Sequence, residues 1–383
     1  MDYRSKFLNT MLFKDTRQVP LHEVALWEQT MVRWKQEGAP DSAFATNGWF
    51  MRGDEFFGFE PRYFIQIHGN RPMPAFESKV ISEDERIVTF VDENGVTHEA
   101  LKQGEVNGMR MSMDRLLDFP VTDRASFRAL TKRFTADTAL RYPQNWDDLL
   151  KLYKTRDCPL CLGENGDFGF YSILRSFMGT EGVSYILYDD PDLVHEMLDF
   201  FCDYMIELTH KALHEVDVDY FNIWEDMTFK NGPLVSPELF RVFFLPRYKR
   251  LIAHLKDHGV KLITLDTDGD PRLLIPLYLE AGVNGIWPIE VAAGVDPISL
   301  RKEYGDSLAL SGGIDKRVLA RDKQAIDYEL KRILDYMLPR GGYIPTVDHA
   351  VPPDVPYENF TYYLYLKREL LDQLGGTAIE KII

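Results

Sequence analysis

From about residue 155 the chain alternates between short apolar runs and longer stretches with apolar positions three and four apart. The short runs cover 159–162, 220–224, 261–265, 285–289, 308–311 and 343–346, and each has the length of a buried strand. Helical patterns lie between or after them at 191–214, 237–258, 270–281, 297–304, 316–337 and 357–374, several opening on Pro or Asp as helix N-termini prefer. Six strand–helix units in succession predict a parallel sheet. Two further strands around 19–21 and 63–67 would bring the total to eight. The pattern therefore predicts an α/β fold, a TIM (β/α)8 barrel.

The first 135 or so residues break this rhythm. Val24, Trp27, Met31 and Trp34 mark a helical face within 21–36. Residues 86–102 read as a β-hairpin around Asp92-Glu93-Asn94-Gly95, because Asn-Gly suits the left-handed positions of a tight turn. We therefore expect an N-terminal elaboration, or cap, over 1–135 that contributes helices, the hairpin and the first barrel strands. The main part of the barrel is expected over 136–383. The alternative, an open doubly wound sheet, wants a phosphate-binding turn. The glycines Gly163, Gly166 and Gly169 have the wrong spacing for one, so no nucleotide is expected.

Composition removes several partners. Sixty acidic against 44 basic residues leave a net charge of −16, and no Lys/Arg run exceeds two. A nucleic-acid partner would need a clustered basic face. No window of 18 apolar residues is present and the first 20 residues lack an apolar leader core, so no membrane span is expected. Three cysteines, Cys158, Cys161 and Cys202, are too few for a disulfide framework. Together these predict a soluble, cytoplasmic protein.

In such a barrel the chemistry sits just past the C-terminal ends of the strands. Those positions hold Glu225 and Asp226, then Asp266, Asp268 and Asp270, then Glu290, Asp315, and finally Asp348 beside His349. Converging carboxylates raise one another's pKa or bind a cation, which suits acid–base or metal chemistry. Helix N-capping is the competing explanation, and it is preferred for Asp270 and Asp315. Cys158 and Cys161 form a CxxC without a second pair. His210/His214 and His254/His258 are i,i+4 pairs near helix C-termini without the glutamate of a metalloprotease motif, and read as solvated faces.

At these strand ends the sequence resembles the uroporphyrinogen decarboxylase superfamily, which also includes corrinoid-dependent methyltransferases. The resemblance covers roughly 155–370. It rests on the stretch from Gly169 to Gly179, on Asp190-Pro191-Asp192-Leu193-Val194, on Ser236-Pro237-Glu238-Leu239-Phe240, on Ser311-Gly312-Gly313-Ile314-Asp315 and on Asp348-His349-Ala350-Val351-Pro352-Pro353. It implies a TIM barrel. The Arg-rich segment with which true decarboxylases hold tetrapyrrole carboxylates is not matched. In methyltransferases that bind zinc through a His-x-Cys-Gly stretch and a later Cys, the matching positions here are Asp266, Asp268 and His349, without the thiolates.

The resemblance thus implies a corrinoid-dependent methyltransferase that demethylates a small O-methyl compound, such as a methoxylated aromatic, or an N-methyl compound. The methyl group would pass to a corrinoid on a separate cobalamin-binding protein. Glu225, Asp268, Glu290 and His349 are the expected catalytic residues. Trp49, Trp287, Tyr343 and Asp348 are expected to bind substrate, and Asp266, Asp268 and His349 to hold a divalent metal such as zinc. The alternatives are a decarboxylase of a porphyrinogen or smaller acid, or a non-catalytic tetrapyrrole-binding barrel. Exposed helix faces could support a homodimer.

Overall fold

The apolar runs become neighbouring parallel strands because a helix after each returns the chain across one face of the sheet. The computed structural model describes residues 1–15, 17–44, 54–103, 105–106, 109–110, 113–163 and 168–375. Within them, β1 (Tyr63–Phe64), β2 (Leu160–Leu162), β3 (Tyr220–Trp224), β4 (Leu262–Asp266), β5 (Gly285–Ile289), β6 (Ala309–Gly312) and β7 (Tyr343–Ile344) pair in chain order. Each neighbouring pair is parallel. The result is a curled, TIM-like half-barrel.

Among the described residues seven strands form this sheet, where eight are expected. Residues 19–21 are not a strand, and Pro20 explains why: without an N–H it cannot complete a ladder. The segment nevertheless runs between β1 and the chain that follows β7. Leu21 accepts the N–H of Glu60 at 3.0 Å, and Ala25 accepts that of Val351 at 2.9 Å. A buried ion pair locks the same seam. Lys367, on the helix α5 (Tyr357–Gly375), donates to Glu23 Oε1 at 2.6 Å, while Val347 donates its N–H to Glu23 Oε2 at 2.9 Å.

Strand alternation divides the side chains between two cores. Cys161, Tyr220, Leu262, Ala309 and Ile344 share the inner face with Phe7 and Met11 of α1 (Tyr3–Met11), which plugs that side. Leu160, Phe221, Ile263, Leu310 and Tyr343 face the helices. Those used below are α2 (Phe170–Asp189), α3 (Pro191–Glu215) and α4 (Leu245–Asp257). Asp190 caps α3 by accepting the N–H of Leu193 at 2.9 Å, and Pro191 sits where a helix tolerates it.

Residues 87–91 and 97–101 are antiparallel, and Asp92 Oδ1 holds their turn through the N–H groups of Asn94 and Val96. They belong to a four-stranded antiparallel sheet apart from the parallel one. Among the described residues no helix is long and apolar enough to cross a membrane.

Candidate active site

The loops after β4, β5, β6 and β7 meet at the C-terminal end of the sheet, and backbone hydrogen bonds to carboxylates tie them together. Asp266 ends β4 on the inward face, two and four residues from Thr264 and Leu262. Beyond it the chain turns sharply at Gly269, whose φ is +70° and where a Cβ would lie 2.6 Å from the Phe229 backbone. Only glycine suits both conditions. Gly269 donates its N–H to Glu290 Oε2 at 2.8 Å, so Glu290 anchors the loop that carries Asp268.

Asp348 lies beneath, fully buried, accepting the N–H groups of Val291 and Lys316, each at 3.1 Å. The Lys316 Nζ stands 3.8 Å from both Asp348 Oδ1 and Glu290 Oε1. Burial pushes the Asp348 carboxyl up, opposed by the Lys316 charge.

His349 faces Asp268 across 3.6 Å, from Nε2 to Oδ1. Its Nδ1 accepts the N–H of Ala350 at 2.7 Å, so in the neutral ring the hydrogen sits on Nε2, directed at the carboxylate. The separation exceeds hydrogen-bond length, and the Trp27 ring stacks on the imidazole with centroids 6.5 Å apart. Burial pushes the Asp268 carboxyl up; His349 opposes this, Asp226 and Glu290 add to it, and Lys316 opposes it. With 44% of its side chain exposed, Asp268 remains open to an incoming molecule.

Other expected residues occupy different surroundings. Glu225 is fully buried and accepts the N–H groups of Phe170, Tyr171 and Ser172, plus the Tyr248 hydroxyl at 2.7 Å. It therefore caps the N-terminus of α2. Burial pushes its carboxyl up to about 7 despite those donors. Trp287 points inward and donates its indole N–H to Asn222 Oδ1 at 2.7 Å, beside a cavity of about 50 Å³ also lined by His22, Glu23, Arg62 and Thr264. Tyr343 does not reach the mouth: its hydroxyl bonds the Gly312 carbonyl at 2.7 Å on the outer face, and its neighbour Ile344 is the inward residue. Trp49 lies outside the described residues.

Metal ligation at the mouth fits poorly. Among the described residues, the group of three His, Cys, Asp or Glu ligand atoms within 4.8 Å of one another lies elsewhere, on α3 and α4. Asp266, Asp268 and His349 do not form such a group in this arrangement. Sequence reasoning also missed Lys316, the cation between two of the carboxylates. Its position right after Asp315 at the end of a strand loop was the available signal.

These features define a TIM-like α/β protein whose strand ends carry an acidic mouth with one imidazole. The family model "Uroporphyrinogen decarboxylase (URO-D)" matches residues 166–369, and the chain belongs to that family. Similar curated proteins include the uroporphyrinogen decarboxylase of Alcanivorax borkumensis, 29% identical over 197 residues (48% of this chain, 51% of that one). That of Syntrophotalea carbinolica is 25% identical over 178 residues (46% and 49%). The chain thus spans about half the length of the curated relatives it matches. Among solved structures, a methyltransferase from Methanosarcina mazei shares the fold with a TM-score of 0.61 at 15% identity, over 96% of this chain and 98% of that one.

Proposed function

We propose that the chain is a methyltransferase that removes a methyl group from a small O-methyl or N-methyl compound and passes it to a corrinoid on a partner protein. The observation that carries this reading is the pairing of Asp268 with His349 at an otherwise acidic mouth. In the O-methyl case the carbon–oxygen bond breaks, its electron pair stays on oxygen, and that oxygen needs a proton. Supplying one is the task of an acid whose pKa is lifted into reach of neutral pH. Burial and two neighbouring carboxylates push the Asp268 carboxyl up, against the opposing charges of His349 and Lys316, and we assign the proton to it, with the His349 imidazole beside it. A reduced corrinoid on the partner protein would supply the electron pair that takes the methyl carbon.

Glu290 and Lys316 position the Asp268 loop, and Trp27 walls the imidazole. No step is assigned to a mouth metal, since the side chains there do not converge on one. The repulsion expected between the Asp226 and Glu290 carboxylates and a polycarboxylate weighs against porphyrinogens. Decarboxylation is the second reading, favoured by the family match and by the names of the curated relatives. The test incubates the purified chain with a methoxylated phenol and free cob(I)alamin, following loss of the reduced corrinoid spectrum. A parallel assay measures CO₂ release from uroporphyrinogen with the chain alone. Release without corrinoid consumption overturns the first reading in favour of the second.

A further inference from the structure

The four histidines of the two i,i+4 pairs meet on one spot of the molecule, far from the acidic mouth. His210 and His214 stand in the last turns of α3, and His254 and His258 at the end of α4, which packs against α3. Both helices finish just before β3 and β4 begin, so this is the N-terminal edge of the sheet. The ring centroids of His210 and His214 are 4.0 Å apart, and those of His214 and His258 are 4.8 Å apart. One ligand atom from each of His210, His214 and His258 lies within 4.8 Å of the others.

The ring hydrogens are already arranged for a metal. His214 Nδ1 lies 3.1 Å from the His210 carbonyl, and His258 Nδ1 lies 2.8 Å from the His254 carbonyl. A carbonyl can only accept, so in each neutral ring Nδ1 holds the hydrogen and Nε2 keeps its lone pair. His254 is the wall behind them. Thr209 gives its hydroxyl hydrogen to the Met205 carbonyl at 2.8 Å, so at 3.3 Å it accepts from His254 Nε2.

Two helix C-termini also turn the negative ends of their dipoles towards the spot, which favours a cation. Three nitrogens bound to one ion at about 2.0–2.1 Å would stand about 3.4 Å apart. Rotation of the exposed His210 and His214 side chains covers that difference. We propose that His210, His214 and His258 bind a divalent transition metal of the zinc, nickel or copper class, clamping α3 to α4 and leaving a fourth position to solvent. Three neutral imidazoles select these ions over magnesium or calcium, which prefer oxygen ligands.

The experiment uses the full chain without an affinity tag, stripped with a chelator, desalted and titrated with zinc chloride by calorimetry. Wild type and the mouth variant Asp268→Asn/His349→Ala should bind one zinc with equal affinity. His214→Ala/His258→Ala should bind it at least about tenfold more weakly, and should lose the zinc-dependent rise in Tm seen in wild type. If that double variant does not fold by circular dichroism, His210→Asn gives the same readout from an exposed position. Equal zinc affinity in wild type and the histidine variants overturns the site, as does failure of wild type to bind zinc at micromolar concentrations.

Discussion

Glu225 is the residue where a structural and a chemical role give opposite expectations, and pH separates them. The carboxyl is fully buried and receives three backbone N–H groups at 2.5, 3.2 and 3.0 Å and a tyrosine hydroxyl at 2.7 Å. Burial outweighs those donors, lifting the pKa from 4.5 to about 7. Between these values the native chain keeps a proton that the unfolded chain has released, so unfolding free energy falls as pH rises. The window is about 2.5 pH units wide, and at about 1.36 kcal/mol per unit it costs about 3 kcal/mol. The variant Glu225→Gln cannot ionise. Its amide nitrogen would face one N–H group, a penalty that does not vary with pH. Urea unfolding of both proteins should therefore show the difference in stability moving by about 3 kcal/mol in favour of the variant from about pH 4.5 to about pH 8. A difference that stays flat with pH refutes the claim that desolvation beats the four donors. It would mean that the N-terminus of α2 keeps Glu225 ionised.

Three further outcomes are expected. Asp268→Asn keeps the size of the side chain and loses the proton, so methyl transfer to cob(I)alamin should fall by about 10²- to 10⁴-fold with little change in Tm; an unchanged rate removes Asp268 as the acid. Lys367→Met leaves Glu23 buried without its cation and should cost about 3–5 kcal/mol in denaturant unfolding, with part of the loss recovered by adding Glu23→Gln. A Lys367→Met protein as stable as wild type contradicts the locked seam. Burial pushes the Cys158 and Cys202 thiols from 9.0 to about 11, so at about pH 8 their thiolate fraction is about a hundredfold below that of the unfolded chain. Ellman's reagent should react slowly with native protein and find three thiols in urea; fast reaction at two native thiols contradicts the burial.

The strand ends were legible because topology alone places the residue after each parallel strand at one rim. Asp268, Glu290, Asp348 and His349 are brought to that rim by backbone direction, before any side-chain contact is considered. What sequence could not give was register. Tyr343 and Ile344 differ by one position, and that position decides which of them faces the helices. Residues 19–21, expected as a strand, carried a contrary local signal, Pro20, that the apolar residues beside it obscured. The histidine pairs were visible as spacings on single helices, where each reads as a solvated face. Their convergence depends on how α3 packs on α4, which no spacing within one helix reports.

The same consideration explains why equal-looking carboxylates diverge in role. Glu225 meets the N-terminus of α2, and Asp348 meets two backbone N–H groups and a lysine; both are fully buried and hold loops in place. Asp268 is governed instead by burial and by the charges of His349, Asp226, Glu290 and Lys316, and its side chain is 44% exposed. Fixed donors stabilise one protonation state and one geometry, whereas opposing charges leave the proton balance sensitive to what enters the mouth. A group that must give up a proton during turnover needs the second environment. Among the carboxylates at this rim, Asp268 combines that environment with an adjacent imidazole and access from solvent.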